Sequence, residues 1–351
     1  MRIIVTGGAG FIGSAMCRLL IAESDDTVLN VDKLTYAGSL ESLRDVAGHP
    51  RYRFVCADIC DRLAVEALFA EFKPEAVIHL AAETHVDRSI TGSSAFIDTN
   101  IVGTLTLLEA ARRHWAQVSG AERERFRFIH VSTDEVYGSL GSAGNFTEDT
   151  PYRPNSPYAA SKAAADHLVT AWHATYGLPT IITNCSNNYG PYHFPEKLIP
   201  LAILNALEGK PIAIYGDGAH VRDWLHVEDH VRALRRILRA GKPGRKYNVG
   251  AANECRNVEV IGRICDCLDR LRPKGAPHRR LMTFVAERPG HDRRYAIDAK
   301  RLREELGWEP AIAFDTGIET TVRWYLDNEW WWRPLRKTYA GERLGLIDHP
   351  A

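Results

Sequence analysis

Short apolar runs alternate with stretches of helical periodicity through the first half of the chain. Arg2-Ile3-Ile4-Val5-Thr6 is apolar and β-branched, which predicts a buried strand, and Ser14 to about Ala22 predicts the helix after it. Similar runs predict strands at Thr27 to Val31, Arg53 to Ala57, Ala76 to Leu80, Phe128 to Val131 and Thr180 to Asn184. Asp98 to Ala111 reads as helical. Ser156 can cap a further helix that has Pro157 at its first position and runs to about Tyr176. Strand and helix in alternation imply an α/β fold with a parallel, doubly wound sheet. Tyr247 to Val249 is expected to join that sheet. The division expected from this pattern is a first domain of 1–186 with 223–250 and a smaller C-terminal one of 187–222 with 251–351.

Ligands of such sheets bind beyond the carboxyl ends of the strands. Asp32, Asp58, Thr84, Thr133, Asp134 and Glu135 all fall there. Gly7, Gly10 and Gly13 form a G-x-x-G-x-x-G run between the first strand and its helix. Glycines there allow a tight turn and close backbone approach to a pyrophosphate on the helix N-terminus, so the first domain is of Rossmann type. Asp32 ends the second strand. An acid there accepts hydrogen bonds from a ribose 2′-OH and repels a 2′-phosphate, which selects NAD over NADP. Lys33 weakens that preference slightly.

Tyr158 and Lys162 are four residues apart, on one face of the predicted helix. A tyrosine titrates near 10 in water and is a poor base at neutral pH. A nearby ammonium and a positive nicotinamide favour phenolate, so Tyr158 is expected to take a proton from a substrate hydroxyl. Thr133 offers a hydroxyl to the same oxygen.

The chain has 351 residues and a formal net charge of zero, so it carries no electrostatic footprint for nucleic acid or anionic membrane. It has no apolar run of transmembrane length and no leader-like N-terminus, which leads to the expectation of a cytoplasmic protein. Seven cysteines, none in Cys-x-x-Cys, give no metal spacing. Cys56, Cys185, Cys265 and Cys267 read as small buried thiols. Arg270 to Arg280 reads as a solvated loop before a strand at Leu281 to Val285, and Trp330 to Trp332 as a packed C-terminal anchor.

The glycine run with Tyr158-x-x-x-Lys162 resembles the extended short-chain dehydrogenase/reductase superfamily. Ser132-Thr133-Asp134-Glu135-Val136-Tyr137-Gly138, Thr84-His85-Val86-Asp87-Arg88-Ser89 and Ser186-Asn187-Asn188-Tyr189-Gly190-Pro191 narrow the resemblance to the dTDP-D-glucose 4,6-dehydratases. Glu196-Lys197-Leu198-Ile199-Pro200, Arg222-Asp223-Trp224 and Arg288-Pro289-Gly290-His291-Asp292 agree, and the match covers nearly the whole chain. Nucleotide-sugar epimerases are similar elsewhere but lack the acidic pair Asp134-Glu135. A catalytically silent NAD-binding protein would not need Thr133, Asp134, Glu135, Tyr158 and Lys162 together.

The resemblance implies a hydro-lyase that oxidises glucose C4, eliminates water across C5 and C6, and returns the hydride to C6. Glu135 would be the base at C5 and Asp134 the acid at C6, so Asp134 must be protonated near neutral pH. Desolvation and the neighbouring Glu135 would both raise it. By the same resemblance the NAD contacts are Phe11, Ile12, Asp32, Lys33, Leu34 and Thr35, then Asp58 and Ile59 at the adenine. Leu80, Ala81, Ala82, Thr99 and Asn188 follow, with Tyr158 and Lys162. Thr84, Thr133 and Asn187 would meet the sugar or its phosphate. Lys197, Leu198, Tyr215, Arg222, Asn257, Arg288 and His291 would hold the thymidine diphosphate, where arginine can bond bidentately. His85 either lines the sugar pocket or bonds the backbone. The family resemblance also implies a homodimer and a place in deoxysugar biosynthesis, with dTDP-rhamnose the expected route.

Overall fold

A computed structural model of the protein describes residues 1–287, 289–339 and 341. Its strands, in chain order, are β1 (Arg2–Thr6), β2 (Thr27–Asp32), β3 (Tyr52–Cys56), β4 (Ala76–His79), β5 (Arg127–Thr133) and β6 (Thr180–Cys185). They continue with β7 (Asn187–Tyr189), β8 (Ile212–Tyr215), β9 (Val221–His226), β10 (Lys246–Val249), β11 (Glu254–Arg256) and β12 (Met282–Val285). Seven form one parallel sheet in the order β10-β6-β5-β4-β1-β2-β3. The strand at Tyr247 to Val249 joins it as expected. Three strands, β11-β9-β7, make a second sheet, and β12-β8 a third. The expected boundary at 223 falls inside β9.

Successive residues of a strand face opposite sides, and both sides are covered. Ile3 and Val5 pack with Met16 and Leu20 of helix Phe11–Glu23 and Leu234 and Ile237 of helix Val227–Ala240. Ile4 points the other way, towards Leu68 of helix Arg62–Phe72, Leu108 of helix Thr104–Gln117 and Val169 of helix Pro157–Tyr176. Slipping the register by one residue would turn these apolar sets to the wrong layer, so the alternation fixes it. A separate apolar cluster holds Ile203, Trp224, Ile264 and Tyr325 beside the small sheets.

Helix Pro157–Tyr176 starts and stops where expected. Ser156 Oγ accepts from Ala159 N at 3.1 Å, Pro157 leads, and Gly177 ends it in the left-handed conformation. The helix expected over Asp98 to Ala111 is different in kind. Ile97–Gly103 is a widened π-helical segment, and the α-helix begins at Thr104. π-segments are rare and gather at functional sites. Here Asn100 receives Glu83 N at 2.9 Å and donates to Glu83 O at 3.0 Å and Ser161 Oγ at 2.8 Å.

Other expectations meet local corrections. Cys56 is exposed, because the side chain of this edge-strand residue faces outward, whereas Cys185, Cys265 and Cys267 are buried. Trp331 and Trp332 anchor the C-terminal helix, Trp331 donating to Ser42 Oγ at 3.0 Å, but Trp330 is exposed. In the basic run, Arg279 pairs with Asp266 at 2.6 Å and Arg270 with Glu319 at 3.1 Å, so part of its charge is compensated. No helix among the described residues is long and apolar enough to cross a membrane.

Candidate active site

A cleft of about 330 Å³ opens along the carboxyl ends of β1, β2, β4, β5 and β6. Its floor is the glycine turn. Gly7 has φ +71°, and a Cβ there would sit 2.6 Å from Ala81 N. A Cβ on Gly13 would sit 2.1 Å from Gly7 O. Only glycine leaves the backbone this close to whatever the helix N-terminus holds. Asp32 binds the turn from β2, its Oδ2 accepting from Ala9 N at 2.9 Å and its Oδ1 from Leu34 N at 2.8 Å. Lys33 pairs with Asp58 at 3.3 Å, so its charge is compensated rather than free for a phosphate.

Most of the expected cofactor residues line this cleft: Gly10, Phe11, Ile12, Thr35, Ile59, Leu80, Ala81, Ala82, Thr99 and Asn188. Leu34 and Asp58 do not. Leu34 takes positive φ in the turn after β2, and Asp58 spends one oxygen on Cys60 N at 2.9 Å and the other on Lys33. A flat apolar ring and a diphosphate fit the cradle, which is the shape the residues of a dinucleotide site require.

Further along the cleft stand Thr133, Asp134, Glu135, Tyr158 and Lys162. Thr133 ends β5, and a 3₁₀ turn carries Asp134–Tyr137 directly beyond it. Thr133 Oγ1 accepts from Glu135 N at 3.2 Å and lies 3.4 Å from Asp134 Oδ1. Asp134 is 2% exposed, and its Oδ2 is buried with no hydrogen-bond partner in the structure. Burial, then Glu135 and Asp223, push its carboxyl well above the usual range, outweighing Arg222 and Thr133. The surroundings of Asp134 therefore favour the protonated acid.

The protein alone favours the neutral phenol at Tyr158. Burial first, then Glu135, hold its phenol well above 10, although the Thr133 hydroxyl favours ionisation. Lys162 Nζ instead donates to Val131 O at 2.9 Å. The helix spacing brings lysine and tyrosine to one site, but the lysine's hydrogen bond goes to the strand backbone. Burial lowers Lys162 to about 8.

Of the expected substrate residues, Thr84, Asn187, Lys197 and Leu198 line the same cleft. Lys197 Nζ donates to Thr84 O at 3.1 Å. Tyr215, Arg222, Asn257 and His291 lie outside its lining and group to one side. The Tyr215 and His291 rings are 5.9 Å apart, and His291 stacks on His220 at 3.7 Å. Asn257 N donates to His220 O at 2.9 Å, and Arg222 lies 4.2 Å over the Tyr295 ring. Arg288 lies outside the described residues. His85 does not line the cleft; its Nδ1 accepts from Arg88 N at 3.4 Å and caps a short helix.

Two neighbours were not anticipated. His193 stacks on Phe11 at 4.0 Å, and the buried carboxylate of Glu196 takes Tyr36 Oη and Arg88 Nε, each at 3.0 Å. No periodicity marks such cross-cleft partners; only the Glu196-Lys197 motif pointed near them.

The comparisons with known proteins bear on this geometry. A family model described as GDP-mannose 4,6 dehydratase matches residues 4–321. A probable dTDP-glucose 4,6-dehydratase of Sinorhizobium fredii is 61% identical over 349 residues, 99% of each chain. The dTDP-glucose 4,6-dehydratase of Neisseria meningitidis serogroup B is 59% identical over 350 residues, covering 98% of this chain and 99% of that one. The chain belongs to the dTDP-glucose 4,6-dehydratase family. Among solved structures, a dTDP-glucose 4,6-dehydratase of Streptomyces venezuelae with NAD bound is 46% identical with a TM-score of 0.88, over 95% of this chain and all of that one (100%). A UDP-glucose 4-epimerase of Thermus thermophilus with NAD is 30% identical with a TM-score of 0.82, over 93% and 100%. Dehydratase and epimerase structures thus share this scaffold.

Proposed function

We propose that this chain is an NAD-dependent hydro-lyase that converts dTDP-D-glucose to dTDP-4-keto-6-deoxy-D-glucose and water. The observation that carries the reading is the buried Asp134, held protonated beside Glu135 and within one cleft with Thr133, Tyr158 and Lys162. The glycine turn with Asp32 would hold NAD, which would supply the hydride acceptor for C4 and the hydride donor for C6.

The chain's own groups move the protons. Tyr158 Oη receives the proton of the C4 hydroxyl, with the Thr133 hydroxyl sharing that oxygen. The protein alone keeps the phenol neutral, so its ionisation depends on the positive charges of Lys162 and of the cofactor ring in the assembled complex. The C4 ketone acidifies C5, and the Glu135 carboxylate takes that proton and gives it back to C5 once C6 has received the hydride. Asp134 gives its proton to the C6 hydroxyl, which leaves as water. Lys197, Leu198, Tyr215, Arg222, Asn257, Arg288 and His291 hold the nucleotide diphosphate, and Thr84 and Asn187 the sugar end.

We read the chain as two interleaved lobes, 1–186 with 223–250 for the cofactor and 187–222 with 251–351 for the sugar nucleotide. Two separate apolar clusters support two lobes, although Leu302, Leu306 and Trp308 pack in the first cluster and Trp224 in the second. A homodimer is supported by Ile97, Val102 and Leu105, large apolar side chains left exposed on the helix that leads through Asn100. A cytoplasmic location is supported by seven unpaired cysteines, since thiols stay reduced there.

The test is incubation of the purified protein with dTDP-glucose, reading the alkali-induced ultraviolet absorbance of a 4-keto sugar. Its appearance is expected. Formation of dTDP-galactose without that absorbance would favour an epimerase instead.

A further inference from the structure

One buried carboxylate is unused by this chemistry. Asp166 follows Lys162 by one turn of helix Pro157–Tyr176 and is 1% exposed. Its Oδ2 accepts from Tyr152 Oη at 2.8 Å, Ser132 Oγ at 3.0 Å and Asn184 Nδ2 at 3.3 Å. Its Oδ1 lies 3.2 Å from His130 Nε2. His130 and Ser132 stand two apart on β5, so both side chains leave the same face of the strand. They flank Val131, whose carbonyl accepts Lys162 Nζ. Asn184 also donates to Thr133 O at 3.1 Å. Asp166 thus touches, directly or through one residue, every position of β5 from His130 to Thr133.

The charges around it narrow the role. Burial, then Lys162, lower His130 to about 4, so at neutral pH it brings no cation. His79 on β4, its ring 5.2 Å from that of His130, is kept neutral by burial, with the hydroxyls of Thr6 at 2.8 Å and Thr104 at 3.0 Å on its nitrogens. Cys185 on β6 is pushed up to about 12 by burial and stays a thiol, and Tyr158 keeps its phenol proton. The donors to Asp166 Oδ2 are neutral. Burial opposes its ionisation, but His130, Lys162 and Tyr152 outweigh burial and hold the carboxyl below its usual range. Lys162 lies one turn earlier on the same helix, bonded to the carbonyl between His130 and Ser132, and its charge and that of Asp166 favour one another.

We propose that Asp166 is a positioning residue for the redox step: it is the fixed counter-charge that keeps the buried Lys162 an ammonium, and the post that holds the end of β5 from which Thr133 and Asp134 emerge. The inference rests on the dehydratase reading, in which Lys162 supports Tyr158. Burying an amine without a counter-charge favours loss of its proton. Asp166 supplies that charge without occupying the cleft.

The experiment uses the full-length holoenzyme in a Glu135→Gln background, where C4 oxidation of dTDP-glucose accumulates as bound NADH. The single-turnover rate of that absorbance is followed from about pH 6 to pH 9. With Asp166 present, the high-pH decline that reports loss of the Lys162 proton is expected near pH 8. In Asp166→Asn that decline moves down by at least about one pH unit, a loss on the order of tenfold at pH 8 relative to pH 6.5. Asp166→Glu, which keeps the charge, leaves the decline within a few tenths of a unit of its original place. Ser132→Ala and Tyr152→Phe remove one neutral donor each and leave it there too. The Glu variant and the donor variants carry the test if the Asn variant does not fold. A profile merely scaled at every pH in Asp166→Asn, a decline displaced by Asp166→Glu, or one displaced by Ser132→Ala as far as by Asp166→Asn overturns the proposal. Absence of bound NADH in the Glu135→Gln parent would instead count against the dehydratase reading.

Discussion

The Thr133 hydroxyl lies 3.4 Å from Asp134 Oδ1, at the last residue of a parallel strand and the first of the turn beyond it. The other oxygen of Asp134 has no partner and no solvent. An ionised carboxylate is costly in such a place, and the neutral acid is what the surroundings select.

That selection has a sign. A carboxyl raised in the folded state binds its proton more tightly there than in the unfolded chain. Its contribution is therefore present at low pH and is lost as pH rises from the ordinary carboxylate range towards the raised folded value. Asp134→Asn removes this liability. The variant is expected to melt higher than the parent by about 1–3 °C at pH 8, with a smaller gain at pH 5. Scanning calorimetry at both pH values checks it; an equal gain at each would mean that Asp134 is ionised in the fold.

Gly7→Ala tests the cradle. The new Cβ would meet Ala81 backbone at 2.6 Å in a left-handed conformation, where nothing can step aside cheaply. Loss of bound cofactor is expected, with destabilisation of about 1 kcal/mol or more. Equal NAD content after gel filtration of both proteins would contradict this.

The hydride is borrowed and returned within one cycle. The purified protein should retain NAD, and turnover should release little NADH into solution. Stoichiometric free NADH during turnover would point to a simple dehydrogenase.

Val102→Glu addresses assembly. Ile97, Val102 and Leu105 are 46%, 43% and 36% exposed, large for apolar side chains so close together. The parent is expected to scatter light as a dimer at micromolar concentration and the variant as a monomer. A monomeric parent would remove the dimer.

Much of this arrangement was legible before the fold was known. Most strands of the main sheet declare themselves by apolar runs, and the candidate site groups sit where such strands end, so Asp32, Thr133 and Asp134 could be placed by order alone. What periodicity cannot carry is a contact between distant segments. The stacking of His193 on Phe11, the Glu196 pair with Arg88, and the lateral grouping of Tyr215, Asn257 and His291 all depend on which distant segments meet. The direction of a side chain is also hidden. Tyr158 and Lys162 share a helix as their spacing requires, yet Lys162 donates to the Val131 carbonyl, since a buried ammonium takes a strong backbone acceptor. The π-segment at Ile97–Gly103 reads as ordinary helix because its widening serves the Asn100 contacts with Glu83.

The division of labour between redox and elimination is tested most directly by deuterium incorporation at C5, read together with bound NADH absorbance, in three variants. Tyr158→Phe is expected to suppress NADH formation and every later step. Glu135→Gln should form bound NADH for at least one turnover but block C5 exchange. Asp134→Asn should form NADH and allow more C5 exchange than Glu135→Gln, while eliminating water slowly. Losses of roughly 100- to 10,000-fold in dehydration are expected for each acid–base variant. If Asp134→Asn and Glu135→Gln abolish NADH formation as fully as Tyr158→Phe, the acidic pair serves binding or oxidation, and its assignment to elimination is wrong.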